Sequence, residues 1–344
     1  MSTRYASVDA LRGLTVAAML LVNDPGDWNH VYAPLEHAAW NGFTPTDLVF
    51  PLFLFIVGVS ITLGLGAGTT NRALLLRALR IVALGLLLHL VAHLAIGTPT
   101  FRPMGVLQRI GVCYVAAALL ALHTSPRTQW LAFGAILVIY GLLLFGAPLT
   151  KEANLASRLD TWLLGRHAYE FDAASGRAHD PEGVLSTVPA LATTLLGVRC
   201  GAWLQRGALR TLSVAGLAAL VLGALVATLQ PLNKQMWTPS FVLWSGGLSM
   251  GALLLAHQLV DRFGWPPIGR SLGINAIAAY GLAWLATCAL EGTGWGPTLY
   301  RAGFGWVVPR LGPDAASLAY AVCFVAVFWA GAVLLARRGV RIKI

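Results

Sequence analysis

The sequence predicts an all-α fold: a polytopic membrane bundle of about ten spanning helices with both termini in the cytoplasm. Three observations carry that prediction. Of the 344 residues, 57% are hydrophobic and 11% charged, where soluble domains carry about 25% charged residues. The apolar residues fall in runs near the length a helix needs to cross lipid. The basic residues crowd into alternate connections between those runs. A soluble chain would expose more apolar surface than water tolerates, and the short alternating stretches of a membrane β-barrel do not occur.

In chain order the spans are about 8–23, 47–66, 73–95, 104–122, 129–148, 186–204, 211–229, 239–259, 271–290 and 315–336. The first opens with Asp9 and Arg12 and has no small-residue cleavage site after it, so it is expected to be retained. The connections 66–72, 123–128, 205–210 and 260–270 are short; 23–46, 148–185 and 291–314 are long. With both tails, the short side holds 15 of the 24 Lys and Arg, Arg4 and Lys343 among them, and the long side holds eight. Twelve of the 14 acidic residues lie on the long side. The positive-inside rule places the short loops and both ends in the cytoplasm. Charge so polarised needs no nucleic-acid partner, although the net charge is +10. No internal repeat is evident, and residues 1–344 read as one domain.

Cys113, Cys200, Cys288 and Cys323 lie in or beside apolar runs without a Cys-x-x-Cys pair, so they read as small apolar residues; no metal site is suggested. Trp28, Trp40, Trp162, Trp237, Trp295 and Trp306 lie on the long side. Interfacial anchoring accounts for such tryptophans in most membrane proteins, but a polar, aromatic surface also suits a sugar.

Ionisable groups at membrane depth are functional candidates. The densest set lies in the first 50 residues: Asn23-Asp24-Pro25-Gly26 ends the first span, Glu36 to Gly42 follows, and Thr44 to Asp47 opens the second. Asp47 suits a helix start, where a carboxylate meets free N–H groups. His37 can exchange a proton near neutral pH, and Asn23 can orient it or polarise a carbonyl. A lone histidine is more often structural, and Asp47 is as readily a simple cap as a functional group. Further sets are Gln108-Arg109 in the fourth span, Asp180 to Thr187 before the sixth, Asn233-Lys234 before the eighth, and Asn275 in the ninth. All but Asn275 approach the long-loop face and can converge there.

Ser7 to Gly13, Val22-Asn23, His37-Ala38-Ala39-Trp40-Asn41-Gly42, Asp47 to Pro51, Gly105 to Ile110, Asp180 to Gly183 and Asn233-Lys234 with Trp237 together resemble one family. It is that of the transmembrane acyltransferases related to heparan-α-glucosaminide N-acetyltransferase, with their bacterial homologues. The resemblance implies transfer of an acetyl group from cytoplasmic acetyl-CoA, a co-substrate, to a glucosamine-type amine across the membrane. It implies that His37 is the active-site residue with Asn23 beside it, and that Trp40, Asp47, Arg109, Asp180, Glu182, Asn233 and Lys234 bind substrate or support the site. It further implies a homodimer, in a bacterial inner membrane, acting on a small amino sugar. His37 can serve as base or carry the acetyl group itself. Arg72, Arg77 and Arg80 are candidates for the phosphates of coenzyme A, although the topology signal alone would place them there. The competing class is an amino-sugar transporter, in which intramembrane Asn, Arg and His would line a path.

Overall fold

A computed structural model describes residues 5–66 and 68–342; Arg4 and Lys343 of the charge count lie outside them. Nine helices among the described residues are long and apolar enough to cross a membrane. They are α1 (Ala6–Asn23), α2 (Pro45–Gly64), α3 (Asn71–Ile96), α4 (Val106–His123), α5 (Pro126–Phe145), then, beyond a short helix α6 (Leu155–Leu163), α7 (Thr187–Gln205), α8 (Leu209–Ala227) and α9 (Pro239–Ala256). After α10 (Arg270–Ile274), α11 (Ala276–Gly292), α12 (Trp295–Phe304) and α13 (Val308–Leu311), the ninth is α14 (Pro313–Arg337). The apolar 17-residue α11 stands at the ninth predicted span and is shorter than the nine. The bundle is all-α and the protein is an integral membrane protein, since water cannot cover helices with this much outward apolar surface.

The ninth predicted span, 271–290, is interrupted rather than continuous. Asn275 separates α10 from α11, donates to the Val340 carbonyl (3.3 Å) and accepts from the Ile342 amide (2.9 Å). A polar side chain that can bond backbone competes with the helix ladder, and here it ties the helix break to the C-terminal tail. The long connections are also more ordered than their composition suggests. Before α7 they hold α6, capped by Asn154 through the Ser157 amide (2.9 Å), and an antiparallel hairpin of β1 (Glu170–Asp172) and β2 (Arg177–His179). Before α14 they hold α12 and α13.

Two close helix pairs hold the frame that carries the polar clusters. A Cβ on Gly58 of α2 would overlap the Thr194 carbonyl of α7, and one on Gly197 of α7 would overlap the Phe55 carbonyl of α2. The backbones therefore touch, as small residues allow in membranes, where van der Waals packing replaces the hydrophobic drive. α1 meets α10 in the same way, through Gly13 and Gly273. Between these helices a core of Phe50, Phe53, Leu54, Leu107, Ile110, Trp237 and Phe241 separates the two ends of the bundle.

Candidate functional site

At one end of the bundle α2 begins, and its first turn builds the centre of the site. Asp47 is almost wholly buried, and its Oδ2 accepts from the amides of Thr44 (3.0 Å) and Ala38 (3.1 Å). The Thr44 bond is the return half of a capping box, with Thr44 as the N-cap residue. Its other oxygen, Oδ1, lies 2.8 Å from His37 Nδ1. A carboxylate only accepts, so Nδ1 carries the hydrogen, and in the neutral ring Nε2 keeps its lone pair. Cap and orienting group are thus one residue. The His37 ring keeps 46% of its surface exposed, so Nε2 is accessible.

Lys234 completes this centre. Its Nζ lies 3.1 Å from Nδ1 and 3.2 Å from Nε2 of His37, and 3.9 Å from Asp47 Oδ1. A cation nearly equidistant from both ring nitrogens would collide with Cε1 if it lay in the ring plane. The ammonium therefore sits over the imidazole face, a cation–π contact that leaves the in-plane lone pair of Nε2 unused. Burial lowers the Lys234 pKa, opposed by the charges of Asp47 and Glu182. The loop that presents Lys234 is fixed by neighbours: Asn233 donates to the Trp40 carbonyl (2.9 Å) and to Asn41 Oδ1 (3.1 Å), and accepts from the Met236 amide (2.8 Å). Trp40 is itself used in packing, donating to the Leu149 carbonyl (2.7 Å) with its ring edge-on to His179. Asn233 and Trp40 therefore clasp the loop carrying Lys234 to the segment carrying His37.

Trp237 ends that loop with φ +56°, the one non-glycine residue with positive φ among those described. A bulky side chain there carries strain, which persists only where surroundings enforce it. Here the indole N–H donates to Thr193 Oγ1 (3.1 Å), the ring meets Phe50 edge-on, and the Arg109 guanidinium lies 5.1 Å above it. Arg109 is fully buried without a direct carboxylate partner: it bonds Thr187 Oγ1 (3.2 Å), Ser186 Oγ (2.5 Å) and the Gly183 carbonyl (3.3 Å), while Nη1 has no partner among the described residues.

Asp180 and Glu182 converge on a cation that the sequence reading left in the loop count. Arg102 forks onto Asp180 through Nε (2.9 Å) and Nη2 (2.5 Å), bonds Glu182 Oε2 (2.7 Å), and lies 4.6 Å over the Tyr169 ring. Burial works against ionisation of Glu182, but the Arg102 and Arg109 cations outweigh it and hold the carboxyl below its ordinary range. Glu182 and Lys234 feel each other's charge. Nearby, Asp160 accepts from the Val184 amide (3.1 Å) and abuts Gly183; burial pushes its carboxyl up to about 6.

Asn23 lies elsewhere from what the resemblance implied. It is exposed, makes no hydrogen bond to His37 among the described residues, and lines a separate cavity of about 540 Å³ with Asp24, Thr287 and Glu291. Asn23 is the last residue of α1, and the cavity it lines is bounded by residues of α11, α12 and α14. At the opposite end of the bundle a cavity of about 510 Å³ is lined by Arg12, Arg77 and Arg80, with Ser60, Tyr114 and Gly273. Arg77 lies over the Tyr114 ring (5.0 Å). Arg72 is exposed one and a half turns earlier in α3 and does not line it, whereas Arg12 does, held by Asp9 (2.6 Å) and the Gly273 carbonyl (2.6 Å). Among the described residues no three His, Cys, Asp or Glu groups converge as a metal would require.

Chemically, the His37 end offers an accessible imidazole nitrogen, oriented by a buried carboxylate and flanked by fixed cations. That suits proton transfer or acyl capture beside a developing oxyanion. Comparison with known proteins gives the family. A family model described as heparan-α-glucosaminide N-acetyltransferase, catalytic, matches residues 4–230. The heparan-α-glucosaminide N-acetyltransferase of Homo sapiens is 29% identical over 351 residues, covering 80% of this chain and 52% of the human protein. That of Mus musculus is 28% identical over 350 residues, covering 81% and 53%. The chain thus spans about half the length of the curated relatives it matches.

Proposed function

The chain belongs to the heparan-α-glucosaminide N-acetyltransferase catalytic family, and from that premise we propose that it is a transmembrane N-acetyltransferase. In this reading acetyl-CoA enters at the Arg77 end, in the cytoplasm, and the acetyl group passes to the amine of a glucosamine-type sugar at the His37 end. The observation that carries it is the placement of two complementary sites on one helix. Phe53 of α2 lines the basic cavity, and Asp47 of α2 orients His37. Six residues of helix separate them, about 9 Å at 1.5 Å per residue. The guanidinium groups of Arg12, Arg77 and Arg80 suit the phosphates of coenzyme A, and its long flexible arm suits the gap between the cavity and His37.

His37 Nε2 is the acting atom. It either removes the amine proton as nitrogen attacks the thioester carbonyl, or it attacks that carbonyl first and hands the acetyl group to the amine. The coenzyme leaves as its thiolate in both routes. Lys234 is the cation placed to stabilise the oxyanion. Homodimerisation and residence in a bacterial inner membrane belong to the same reading, as does action of residues 1–344 as one domain.

Sealed vesicles of known orientation test it. With labelled acetyl-CoA supplied only at the Arg77 face and glucosamine only at the other, N-acetylglucosamine should accumulate with the glucosamine. Movement of unmodified sugar without consumption of acetyl-CoA would instead establish a transporter. A requirement for both substrates on one face would overturn the sidedness.

A further inference from the structure

The cavity that Asn23 lines has chemistry that the His37 centre does not use. Its volume of about 540 Å³ falls in the range of small-molecule sites. One wall is aromatic: the Tyr300 ring stands 6.0 Å from Tyr320 at 86°, and Phe324 stacks on Tyr320 at 6.5 Å. The facing wall carries the carboxylates of Asp24, Asp27 and Glu291 against the single guanidinium of Arg301. Asp24 sits at the C-cap of α1, where the negative end of the helix dipole adds to the preference for a cation. The Thr287 hydroxyl donates to Asp24 Oδ1 (2.5 Å); Oδ2 has no protein partner among the described residues. Tyr280 feels the charges of Asp24, Glu182 and Arg102.

We propose that this cavity is the entry subsite for the cationic amino sugar, with Asp24 pairing the ammonium group and Tyr300 and Tyr320 supplying faces for the apolar side of the ring. The assignment rests on the acetyl-transfer reading for the identity of the ligand, and on this cavity alone for its place. Burial pushes the Asp24 carboxyl up to about 7, with the charge of Glu291 adding and the Thr287 bond opposing. A carboxylate that is costly to ionise alone is stabilised by a bound cation, and a neutral sugar gives no such return. Raised toward 7, the same group also stands near the range in which it can relieve the ammonium of its proton: the proton moves to Asp24 and the lone pair stays on nitrogen.

Equilibrium binding of glucosamine to the purified full-length protein tests this, with glucose and N-acetylglucosamine as neutral controls. Asp24→Asn should weaken glucosamine by at least about tenfold, the scale of one charged hydrogen bond, and leave the controls unchanged. In the wild type, affinity should fall as the pH drops through about 7 and Asp24 is neutralised. The other titrating or charged groups near it are Glu291, Asp27, Arg301, Tyr300, Tyr320 and Tyr280. Because the pH arm uses the unmodified protein, it decides the matter even if Asp24→Asn fails to fold. Unchanged binding in folded Asp24→Asn, or pH-independent affinity between 5.5 and 8, overturns the subsite. Asp24-dependent glucosamine binding by a protein that never consumes acetyl-CoA would overturn the acetyl-transfer reading and leave the subsite standing.

Discussion

The two ends of α2 are built in opposite ways. At the Asp47 end nearly every charged group has a fixed partner: His37 is held by Asp47, Asp47 by two amides, Asp180 and Glu182 by Arg102. At the Ser60 end, Arg77 and Arg80 are exposed on the rim of an open cavity, and Arg77 is steadied by the Tyr114 ring. Preorganisation is required where charge develops during a reaction, because groups already in place need no reorganisation as the barrier is crossed. Holding a flexible polyanion needs only an accessible field of the right sign. In the acetyl-transfer reading the contrast separates an end shaped for chemistry from an end shaped for capture, and four predictions test that division.

The largest effect is expected at His37. His37→Ala should lower acetyl transfer by on the order of 10²–10⁴-fold, with the protein still inserted. Asn23→Ala should lose less, since Asn23 lies apart from the imidazole. If His37→Ala kept more than about a tenth of the rate, the Asp47 end would hold structure rather than chemistry.

The second effect is on stability. Arg102→Met strips the partner from buried Asp180 and nearly buried Glu182, and should cost roughly 3–5 kcal/mol. Thermal unfolding in detergent reads it, and Arg77→Met in the same assay should barely move the midpoint. Equal losses from the two would erase the contrast.

The third concerns pH. Asp160 titrates at about 6 in the folded protein against an ordinary 3.8, so the folded state holds the proton more tightly. Stability from this group is complete below pH 3.8, declines as pH rises toward 6, and stays low above that. Asp160→Asn should flatten this step and gain on the order of 1–2 kcal/mol at pH 8, after loss of one amide bond. A variant with an unchanged stability profile from pH 4 to 8 would show that Asp160 is already ionised without cost.

The smallest effect belongs to the open cavity. Arg77→Met with Arg80→Met should raise the KM for acetyl-CoA about three- to tenfold at low salt, less at high salt, because exposed charges are screened. The turnover number should hold. A fall in turnover with unchanged KM would mean that this end also shapes the reacting group.

Much of this arrangement was legible in the sequence, and the reason differs from part to part. Helices were legible because lipid forces each span to satisfy its own backbone. The Asp47–His37 pair was legible as two adjacent candidates because both sit at one helix start, ten residues apart. Arg102 was not, since its partners lie about 80 residues away and only folding makes a loop arginine the counterion of two carboxylates. Arg12 was likewise absent from the predicted phosphate set and Arg72 present in it, because proximity in sequence to Arg77 is not proximity in space: one and a half helical turns point Arg72 away, while the α1–α10 contact brings Arg12 in. The cavity beside Asp24 needed α11, α12 and α14 to close it. The Asn275 break showed only as a polar residue in an apolar run, with no local sign that it would bind the tail.

Asp47 starts a helix and aims an imidazole with the two oxygens of one carboxylate. Maturation and competence are therefore a single event. A chain whose second helix starts at another residue forfeits the Thr44 amide bond, and with it the carboxylate placement that orients His37. In the acetyl-transfer reading, a substitution that disturbs this helix start registers as lost activity even where the protein is made in full amount.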